Sequence, residues 1–413
     1  MIKLFYNLSQ IVTCSSNGLG YKRGKDLSDI GLIENHAVVV ENGLIKDIIP
    51  NYASNKFSAD EKIDLSGKVL LPGLVDCHTH TAFAGSRANE FKEKIAGVHY
   101  EEIAKRGGGI LATVNAVRNT SLTDLVEIIK PRVQEFIAQG VTTLEIKSGY
   151  GLDFENEIKL LHAIKILNEL FPIDIVSTFL GAHTFPPEFK DNHSDYVDLI
   201  IDKMIPHIAK NNLAEFCDGF CESTAFTFQE IDKIFSAASK AGLKLKLHTE
   251  QFNNIGGLDV ALKHKATSAD HLEVLLDKDF SKFINSETVA VLLPGVSFFL
   301  DYQFAPAKKL IENNAIVAIA TDYNPGSSHI LNLQLIMSLS SIKMKMKIEE
   351  VINAVTINAA KALNREKIIG SIEIGKKADF AVFDVNDYSE IIYNVGRNLL
   401  SHTIKDGEII YQR

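Results

Sequence analysis

Eight short apolar segments recur between residues 69 and 321, and segments with helical periodicity separate them. Residues 316–320 form a continuous apolar run, as expected for a strand that is buried on both faces of a parallel sheet, whereas residues 243–248 alternate. Eight such strands alternating with helices predict an α/β fold, a TIM-like (β/α)₈ barrel. The predicted strands cover residues 69–77, 141–147, 173–180, 215–221, 243–248, 266–271, 288–293 and 316–321.

The helices between these strands have clear start and stop signals. Ser121 opens one of them, and Pro131 inside the same segment predicts a kink, because proline lacks a backbone donor. Thr227 and Glu230 have the spacing of a capping box, and Gly242 ends that helix. These signals support helical connections between parallel strands.

Both ends of the chain have a different pattern, with short apolar runs and turn residues. The pair Asn42-Gly43 lies between two such runs, which is typical of a β-hairpin. Two further predicted strands cover residues 378–384 and 403–411. We expect the two ends to form one small β-sandwich from residues 1–67 and 370–413, with the barrel over residues 68–369.

The composition excludes several classes of protein. A net charge of −9 without a clustered basic stripe argues against a nucleic-acid partner. The longest apolar stretch, residues 289–300, contains Pro294-Gly295 and is too short to cross a membrane, and the first residues lack a signal-peptide pattern. Four cysteines are too few for a disulfide scaffold, so Cys217 and Cys221 are expected to be reduced and buried. We therefore expect a cytoplasmic protein without a membrane partner.

Histidine and aspartate stand at the carboxyl ends of four predicted strands. His78 and His80 end the first strand, and side chains two residues apart on a strand point to the same face. The fifth, sixth and eighth strands end in His248, His271 and Asp322. In a (β/α)₈ barrel these strand ends meet at one mouth. Since imidazole is the commonest protein ligand of divalent metals, the pattern predicts a metal site there.

These positions carry a family resemblance. The segment LPGLVDCHTH over residues 71–80 and the later His and Asp positions resemble the amidohydrolase superfamily, and GSIEIGKKADF over residues 370–380 is similar to its closing motif. Four further segments resemble the imidazolonepropionases within it: residues 83–91, 107–110, 145–152 and 321–327. The resemblance covers nearly the whole chain. It implies an enzyme of histidine degradation that hydrolyses the cyclic amide of a small molecule, 4-imidazolone-5-propanoate, to N-formimidoyl-L-glutamate, and it suggests a homodimer.

The resemblance implies one divalent metal per chain, held by three imidazoles and one carboxylate: His78, His80, His248 and Asp322. Such a ligand set suits Zn²⁺ or Fe²⁺. Relatives with two metals bridge them with a modified lysine on the fourth strand, but residues 215–222 contain no lysine, so a single metal is predicted. The remaining histidines outside predicted helices have no companion ligands: His36, His99, His329 and His402.

Hydrolysis needs a base for the water and an acid for the departing nitrogen. Asp322 is expected to accept the proton of the water. His271 is expected to polarise the carbonyl or carry the proton, the alternative being that it only orients a metal ligand. Gln251 occupies a position where some family members carry a glutamate proposed as the base, and an amide cannot act as a base. Gln251 is therefore assigned to substrate binding, and Glu250 is expected to face away if the strand continues.

The propanoate and the polar ring of such a substrate need contacts of their own. Arg87 can bind the carboxylate through two parallel hydrogen bonds, the alternative being a surface salt bridge. Tyr150, in a Gly-Tyr-Gly turn, can reach the carboxylate or the ring, or serve only in packing. His183, at the end of the third strand, can donate to the ring or to the carbonyl oxygen. The loop after the eighth strand is expected to supply further donors: Asn324, Gly326 and Ser327.

Two other functions fit part of the sequence. An aminohydrolase of purine or pyrimidine bases could share the scaffold, but such substrates lack the carboxylate that gives Arg87 a role. A non-catalytic scaffold protein would be expected to lose metal ligands, whereas here the set is intact. Detection of bound metal in the purified protein would distinguish an enzyme from a scaffold protein.

Overall fold

Three β-sheets form the framework of the computed structural model, which describes residues 1–98 and 108–413. His99 and Gly107, the latter in the motif at 107–110, lie outside the described residues. The sheets contain eight, six and four strands. The strands, numbered in chain order, are β1 (Ile2–Tyr6), β2 (Gln10–Val12), β3 (Leu32–Glu34), β4 (His36–Glu41), β5 (Leu44–Pro50), β6 (Glu61–Asp64), β7 (Val69–Pro72), β8 (Leu74–Asp76), β9 (Val141–Lys147), β10 (Asp174–Ala182), β11 (Phe216–Cys221), β12 (Lys244–Thr249), β13 (Ser268–His271), β14 (Val289–Leu292), β15 (Val317–Ile319), β16 (Phe380–Phe383), β17 (Leu400–Lys405) and β18 (Glu408–Gln412).

The eight-stranded sheet is parallel and runs in sequence order from β8 to β15. Its two edges meet just beyond the strands themselves. The His80 N–H donates to the Tyr323 carbonyl over 3.0 Å, and the Asp322 N–H donates to the His78 carbonyl over 3.0 Å. These bonds close the predicted (β/α)₈ barrel, and the segments that close it also carry predicted metal ligands.

Helices connect the barrel strands and pack against them. The described residues also include one π-helical segment, Ile200–Met204, and 3₁₀ segments at Gly24–Ser28, Pro187–Phe189 and Asp277–Phe283. The described α-helices are α1 (Asn51–Ser54), α2 (Ala88–Ile95), α3 (Ile110–Arg118), α4 (Leu122–Ile137), α5 (Phe154–Leu170), α6 (His193–Leu199), α7 (Ile205–Lys210), α8 (Phe228–Lys240), α9 (Gly257–Lys263), α10 (Pro294–Leu300), α11 (Ala307–Glu312), α12 (Leu333–Met344), α13 (Ile348–Ala354), α14 (Ile357–Lys361) and α15 (Glu390–Tyr393).

The predicted helix starts are confirmed. At the start of α4 the Ser121 hydroxyl accepts the Asp124 N–H over 3.2 Å, and the helix continues beyond Pro131. At the start of α8 the Thr227 Oγ1 accepts the Glu230 N–H over 3.3 Å, while the Glu230 carboxylate accepts the Thr227 N–H over 2.8 Å. Each cap satisfies backbone N–H groups that the first helical turn leaves unpaired.

The other two sheets join the two ends of the chain. The four-stranded sheet has the order β5-β4-β1-β6, and the six-stranded sheet has the order β18-β17-β16-β7-β2-β3. Because β7 pairs with β2 on one side and with β16 on the other, strands from both ends share one sheet. Buried side chains of both sheets pack together between them, among them Phe5, Val38, Leu70 and Phe380. The predicted β-sandwich from both chain ends is confirmed.

The single strand predicted over residues 69–77 is wrong. The chain divides there into β7, which belongs to the six-stranded sheet, and β8, which enters the barrel. Gly73 separates them, and a Cβ at this position would overlap the Thr142 side chain. The two strands look like one in the sequence because each consists mostly of apolar residues. In the structure both are fully buried. The domain division at residue 68 stays a prediction, and this pairing favours a boundary at Gly73 instead.

The structure also bears on the cysteines and on membrane spans. All four cysteines are buried and free. Cys217 and Cys221 lie on β11 and belong to the apolar core. Among the described helices, none has both the length and the apolar character needed to span a membrane.

Candidate active site

Three histidines and one aspartate converge at the mouth of the barrel. His78 and His80 follow β8, His248 lies on β12, and Asp322 follows β15. The His80 Nε2 lies 3.1 Å from the His248 Nε2 and 3.3 Å from the Asp322 Oδ1. The His78 Nε2 lies 3.5 Å from the same oxygen, and all four side chains are buried. The structure therefore brings the four predicted metal ligands together.

The spacing of these atoms fits one metal ion. Ligands about 2.0–2.1 Å from a tetrahedral metal lie about 3.3 Å from one another. The His78 Nε2 and the Asp322 Oδ1 are buried without a hydrogen-bond partner among the described residues, which is unfavourable unless a cation satisfies both. Burial would raise the pKa of Asp322, but the His78 and His80 rings hold it well below its usual range. The carboxylate is therefore charged and able to bind a cation.

Two buried carboxylates orient the histidine rings from behind. The Asp270 Oδ2 lies 2.6 Å from the His78 Nδ1, and the Asp218 Oδ1 lies 3.1 Å from the His248 Nδ1. A charged carboxylate accepts hydrogen bonds, so each ring bears a proton on Nδ1 and presents Nε2 to the cluster. Burial would raise the pKa of Asp270, but Lys246 and His78 lower it to about 2. The sequence analysis missed both aspartates.

Lys147 supplies a buried positive charge beside this cluster. Its Nζ lies 2.6 Å from the Glu145 Oε1 and 2.8 Å from the Asp218 Oδ2, and all three residues are fully buried. Burial would lower the pKa of Lys147, but Asp218 and Glu145 raise it, so the lysine stays charged. A sequence signal for this group existed, because Glu145 and Lys147 are the charged residues of an otherwise uncharged strand. Their separation by two places them on the same face of β9.

His271 stands inside the same cluster. Its ligand atom and those of His78 and His248 lie within 4.8 Å of one another. Adjacent strand residues normally point to opposite faces, yet Asp270 and His271 both serve this site. His271 has a φ of 86°, a left-handed conformation that interrupts the alternation. Its Nδ1 lies 3.4 Å from the Glu273 Oε1, so a carboxylate orients this ring as well. That His271 is not itself a metal ligand stays a prediction.

Glu250 and Gln251 lie in different surroundings. Glu250 is buried and lines a cavity of about 340 Å³ to which no residue of the metal cluster contributes. The strand does not continue as assumed, because β12 ends at Thr249 and Glu250 has a φ of 56°. Burial raises the pKa of Glu250 to about 7. Gln251 is buried beside Tyr302.

Tyr150 and His183 form one wall beside the metal cluster. Their ring centroids lie 5.4 Å apart, and the His183 ring stacks on His80 at 5.1 Å. The His183 Nδ1–H donates to the Gly149 carbonyl over 2.9 Å, and burial lowers the pKa of His183 to about 3. The ring is therefore neutral near pH 7 and presents Nε2 as an acceptor, which favours accepting a hydrogen bond over the predicted donation. The contact of His183 with a substrate stays a prediction. Burial and the charge of Asp322 raise the pKa of the Tyr150 hydroxyl, which remains a donor.

Arg87 precedes α2 and lies against the loop that follows β15. Its Nε donates to the Glu90 Oε2 over 2.9 Å, so an acidic residue that the sequence analysis did not single out orients the guanidinium. The guanidinium packs on Gly326, where a Cβ would overlap the Arg87 Nη1 and lie 3.0 Å from Cζ. This contact between Arg87 and the loop is possible only because residue 326 is glycine.

Asn324 holds the loop after β15 in a tight turn. Its Oδ1 accepts the N–H groups of Gly326 over 2.8 Å and Ser327 over 2.7 Å. Its Nδ2 donates to the Asp322 carbonyl over 2.8 Å and to the Ser327 Oγ over 2.9 Å. Asn324 thus ties the loop to Asp322, a predicted metal ligand, and its polar atoms are engaged within the loop itself.

Similarity to known proteins extends over almost the whole chain. The model of the Amidohydrolase family matches residues 69–410. The chain belongs to the amidohydrolase family. Among relatives of this amidohydrolase, imidazolonepropionase from Thermoanaerobacter pseudethanolicus is 46% identical over 402 residues, covering 97% of this chain and 96% of that protein. Imidazolonepropionase from Fusobacterium nucleatum is 42% identical over 416 residues, covering 99% of each. The resemblance to imidazolonepropionases, which are hydrolases, is confirmed.

Solved structures share the amidohydrolase fold at low sequence identity. An adenosine deaminase from Xanthomonas campestris with bound zinc has a TM-score of 0.74 at 17% identity, covering 98% of this chain and 92% of that chain. Guanine deaminase from E. coli has a TM-score of 0.73 at 13% identity, covering 100% of both chains. At such identities the likeness concerns the fold alone. Family membership and the buried histidine cluster together support a metal site in this amidohydrolase.

Proposed function

We propose that this amidohydrolase opens the cyclic amide of 4-imidazolone-5-propanoate with water to give N-formimidoyl-L-glutamate, a step of histidine degradation. The observation that carries the proposal is identity of 46% to an imidazolonepropionase over 97% of the chain. The site supports it, because the Tyr150 hydroxyl lies in the fields of both Asp322 and Arg87. Arg87, which is proposed to bind the propanoate, therefore lies in the same region as Asp322, a predicted metal ligand.

The proposed cofactor is one divalent metal per chain, Zn²⁺ or Fe²⁺, held by three imidazoles and one carboxylate: His78, His80, His248 and Asp322. When bound, such a metal polarises the substrate carbonyl and lowers the pKa of water from 15.7 to roughly 7. The absence of lysine from β11 (FCDGFC) supports a single metal, since that strand then offers no bridging group.

Asp322 and His271 are proposed to handle the protons of the reaction. The charged Asp322 carboxylate accepts a proton from the attacking water, whose oxygen joins the carbonyl carbon of the ring. His271 delivers a proton to the nitrogen of the C–N bond that breaks, because a departing nitrogen needs protonation. One water is consumed, and the ring opens to a carboxylate and an N-formimidoyl group.

The proposed substrate-binding residues fall into two groups, one for the propanoate of the substrate and one for its ring. Arg87 is proposed to bind the propanoate, and the Tyr150 hydroxyl donates to the same carboxylate or to the ring. The His183 Nε2 is an acceptor and therefore suits a ring N–H. Gln251, which can donate and accept, is proposed to contact the ring as well. The loop residues proposed to border the carboxylates are Asn324, Gly326 and Ser327.

We also propose that the enzyme is a cytoplasmic homodimer that acts on a small molecule, without nucleic-acid or membrane partners. The net charge of −9 supports the exclusion of nucleic acid. Light scattering on the metal-loaded protein tests the dimer, and a monomeric mass would contradict it.

Turnover of freshly generated 4-imidazolone-5-propanoate by the metal-loaded protein tests the proposed reaction. Loss of the ultraviolet absorbance of the conjugated ring follows the reaction, and mass spectrometry identifies the product. The control substrate is an imidazolone without the propanoate. We expect kcat/KM to be at least about 30-fold higher for the propanoate substrate, because a desolvated charge pair contributes about 2–5 kcal/mol. Equal values for both substrates, or no turnover, would reject the proposal.

A further inference from the structure

Glu157 is a buried carboxylate without a part in the proposed reaction, and the turn between β9 and α5 surrounds it. Its Oε1 accepts the N–H groups of Gly151 over 2.7 Å and Leu152 over 3.0 Å, and its Oε2 accepts the N–H of Gly149 over 3.0 Å. Burial raises the pKa of Glu157, and the nearby Ser148 side chain and the backbone N–H groups offset part of that rise. The side chain is 0% exposed, so water cannot replace these donors.

Tyr150 lies in this turn but does not donate to Glu157. Its ring lies 5.4 Å from the His183 ring in a T-shaped arrangement. The neighbouring glycines allow the backbone to wrap the carboxylate. Gly149 has a φ of 105°, and a Cβ there would lie 2.9 Å from a backbone oxygen, while a Cβ at Gly151 would lie 2.5 Å from a backbone carbon. The backbone of the turn therefore has little conformational freedom once the Glu157 carboxylate is in place.

The same turn determines which nitrogen of His183 bears the proton. The Gly149 carbonyl accepts the His183 Nδ1–H over 2.9 Å, so Nε2 remains an acceptor. Because Glu157 holds the N–H of Gly149, one carboxylate acts on both proposed substrate contacts. On the other side of the turn, the Arg118 Nε donates to the Gly151 carbonyl over 2.8 Å.

We propose that Glu157 is a positioning residue for substrate binding. It touches no substrate itself. By accepting the donors of the turn, it holds the Tyr150 hydroxyl in place and keeps the His183 Nε2 available as an acceptor. The inference rests on the proposed function, which assigns Tyr150 and His183 to the substrate.

The variant Glu157→Gln tests the role with a minimal change of shape. Both oxygens of Glu157 accept backbone N–H groups, whereas an amide has one oxygen, and its NH₂ group would face a donor. The loss of one such bond in a buried turn predicts a rise in KM of roughly tenfold, with kcat and metal content near wild type. Glu155→Gln is the matched control, because Glu155 is exposed on the first turn of the same helix and its change removes the same charge.

A double-mutant cycle with Tyr150→Phe separates positioning from a merely structural role. If Glu157 acts through the turn that carries Tyr150, the combined rise in KM should fall well short of the product of the single effects. The inference would be overturned if the rise in KM of the double variant equalled the product of the two single rises. It would also be overturned if KM were unchanged in Glu157→Gln, or if Glu155→Gln had the same effect.

A second measurement does not depend on turnover. The chain has 11 tyrosines, and fluorine NMR of protein labelled with fluorotyrosine assigns Tyr150 by the signal lost in Tyr150→Phe. That signal should shift in Glu157→Gln and stay in place in Glu155→Gln. If Glu157→Gln does not fold, Ser148→Ala, which removes the hydroxyl beside the carboxylate, must shift the same signal. An unmoved signal overturns the inference, and a moved signal supports it even if the wild type fails to hydrolyse the imidazolone.

Discussion

Replacing Gly326 by alanine tests whether Arg87 binds the substrate carboxylate. A Cβ at this position would lie 3.0 Å from the Arg87 Cζ and would overlap its Nη1. Carbon atoms in contact need about 3.5–4.0 Å, so Cζ has to retreat by about 0.5–1 Å. Gly326 does not have a positive φ, so its backbone accepts alanine without strain. The substitution therefore displaces the guanidinium while it leaves the fold intact.

The expected magnitude follows from this displacement. A paired arginine–carboxylate contact depends on geometry, and a misplacement of about 1 Å can cost about 10²-fold. Gly326→Ala should therefore raise KM by about 10- to 100-fold, which corresponds to about 1.4–2.7 kcal/mol. Arg87→Ala, which removes the contact entirely, should cost about 2–5 kcal/mol.

Steady-state kinetics on the purified, metal-loaded variants provide the assay. Metal content should be unchanged, because neither residue belongs to the predicted ligand set. In an Arg87→Ala background, Gly326→Ala should have no further effect on KM, since no guanidinium remains to be displaced. A wild-type KM in Gly326→Ala, or an undiminished effect in the double variant, would show that the reasoning about Arg87 is wrong.

Four further outcomes are expected. Chelation should abolish turnover, Zn²⁺ or Fe²⁺ should restore it, and elemental analysis should find about one metal per chain; two metals in a fully active preparation would contradict the single site. Asp322→Asn should lose most turnover, whereas His271→Ala should be nearly inactive but retain metal; a metal-free His271→Ala protein would identify that histidine as a ligand. Asp270→Asn should weaken metal binding by about 10- to 100-fold, as measured by competition with a chelator, and unchanged affinity would exclude the role of Asp270 behind His78. Burial would raise the pKa of Asp174, but Lys405 and Lys377 lower it below the usual range of an aspartate, so its contribution to stability is present above that range and is lost as the pH falls through the lowered pKa. Asp174→Asn should flatten the acid limb of the melting temperature, and an unchanged limb would show that this ion pair is not responsible.

The barrel and the cluster of histidines and aspartate at its mouth could be predicted because both depend on local patterns. Apolar runs followed by histidine or aspartate indicate buried strands with polar carboxyl ends, and the spacing of His78 and His80 places both on one face. The change of sheet at Gly73 could not be predicted from the same patterns. It depends on which partner each buried segment pairs with, and β7 and β8 are equally apolar.

The supporting residues could not be predicted because their partners are distant in sequence. Asp270 lies 192 residues from His78, and no spacing rule relates the two. The proton position on His183 could not be predicted for a similar reason, since a tertiary contact with the Gly149 carbonyl selects the nitrogen that bears the proton. No sequence pattern marks Glu157, because its donors are backbone N–H groups of the preceding turn.

The closure of the barrel has a consequence for how the chain acquires its metal. The two hydrogen bonds between the segments after β8 and β15 join the first barrel strand to the last, and the ligands lie on both sides of that junction. Bringing such distant segments together costs loop-closure entropy, which a cation shared by His80 and Asp322 would offset in part. A chain in which the last strand has not docked offers the imidazoles without the Asp322 carboxylate, so it would bind the cation weakly. Metal bound at the predicted ligands would therefore stabilise the closed barrel relative to a chain whose last strand has not docked.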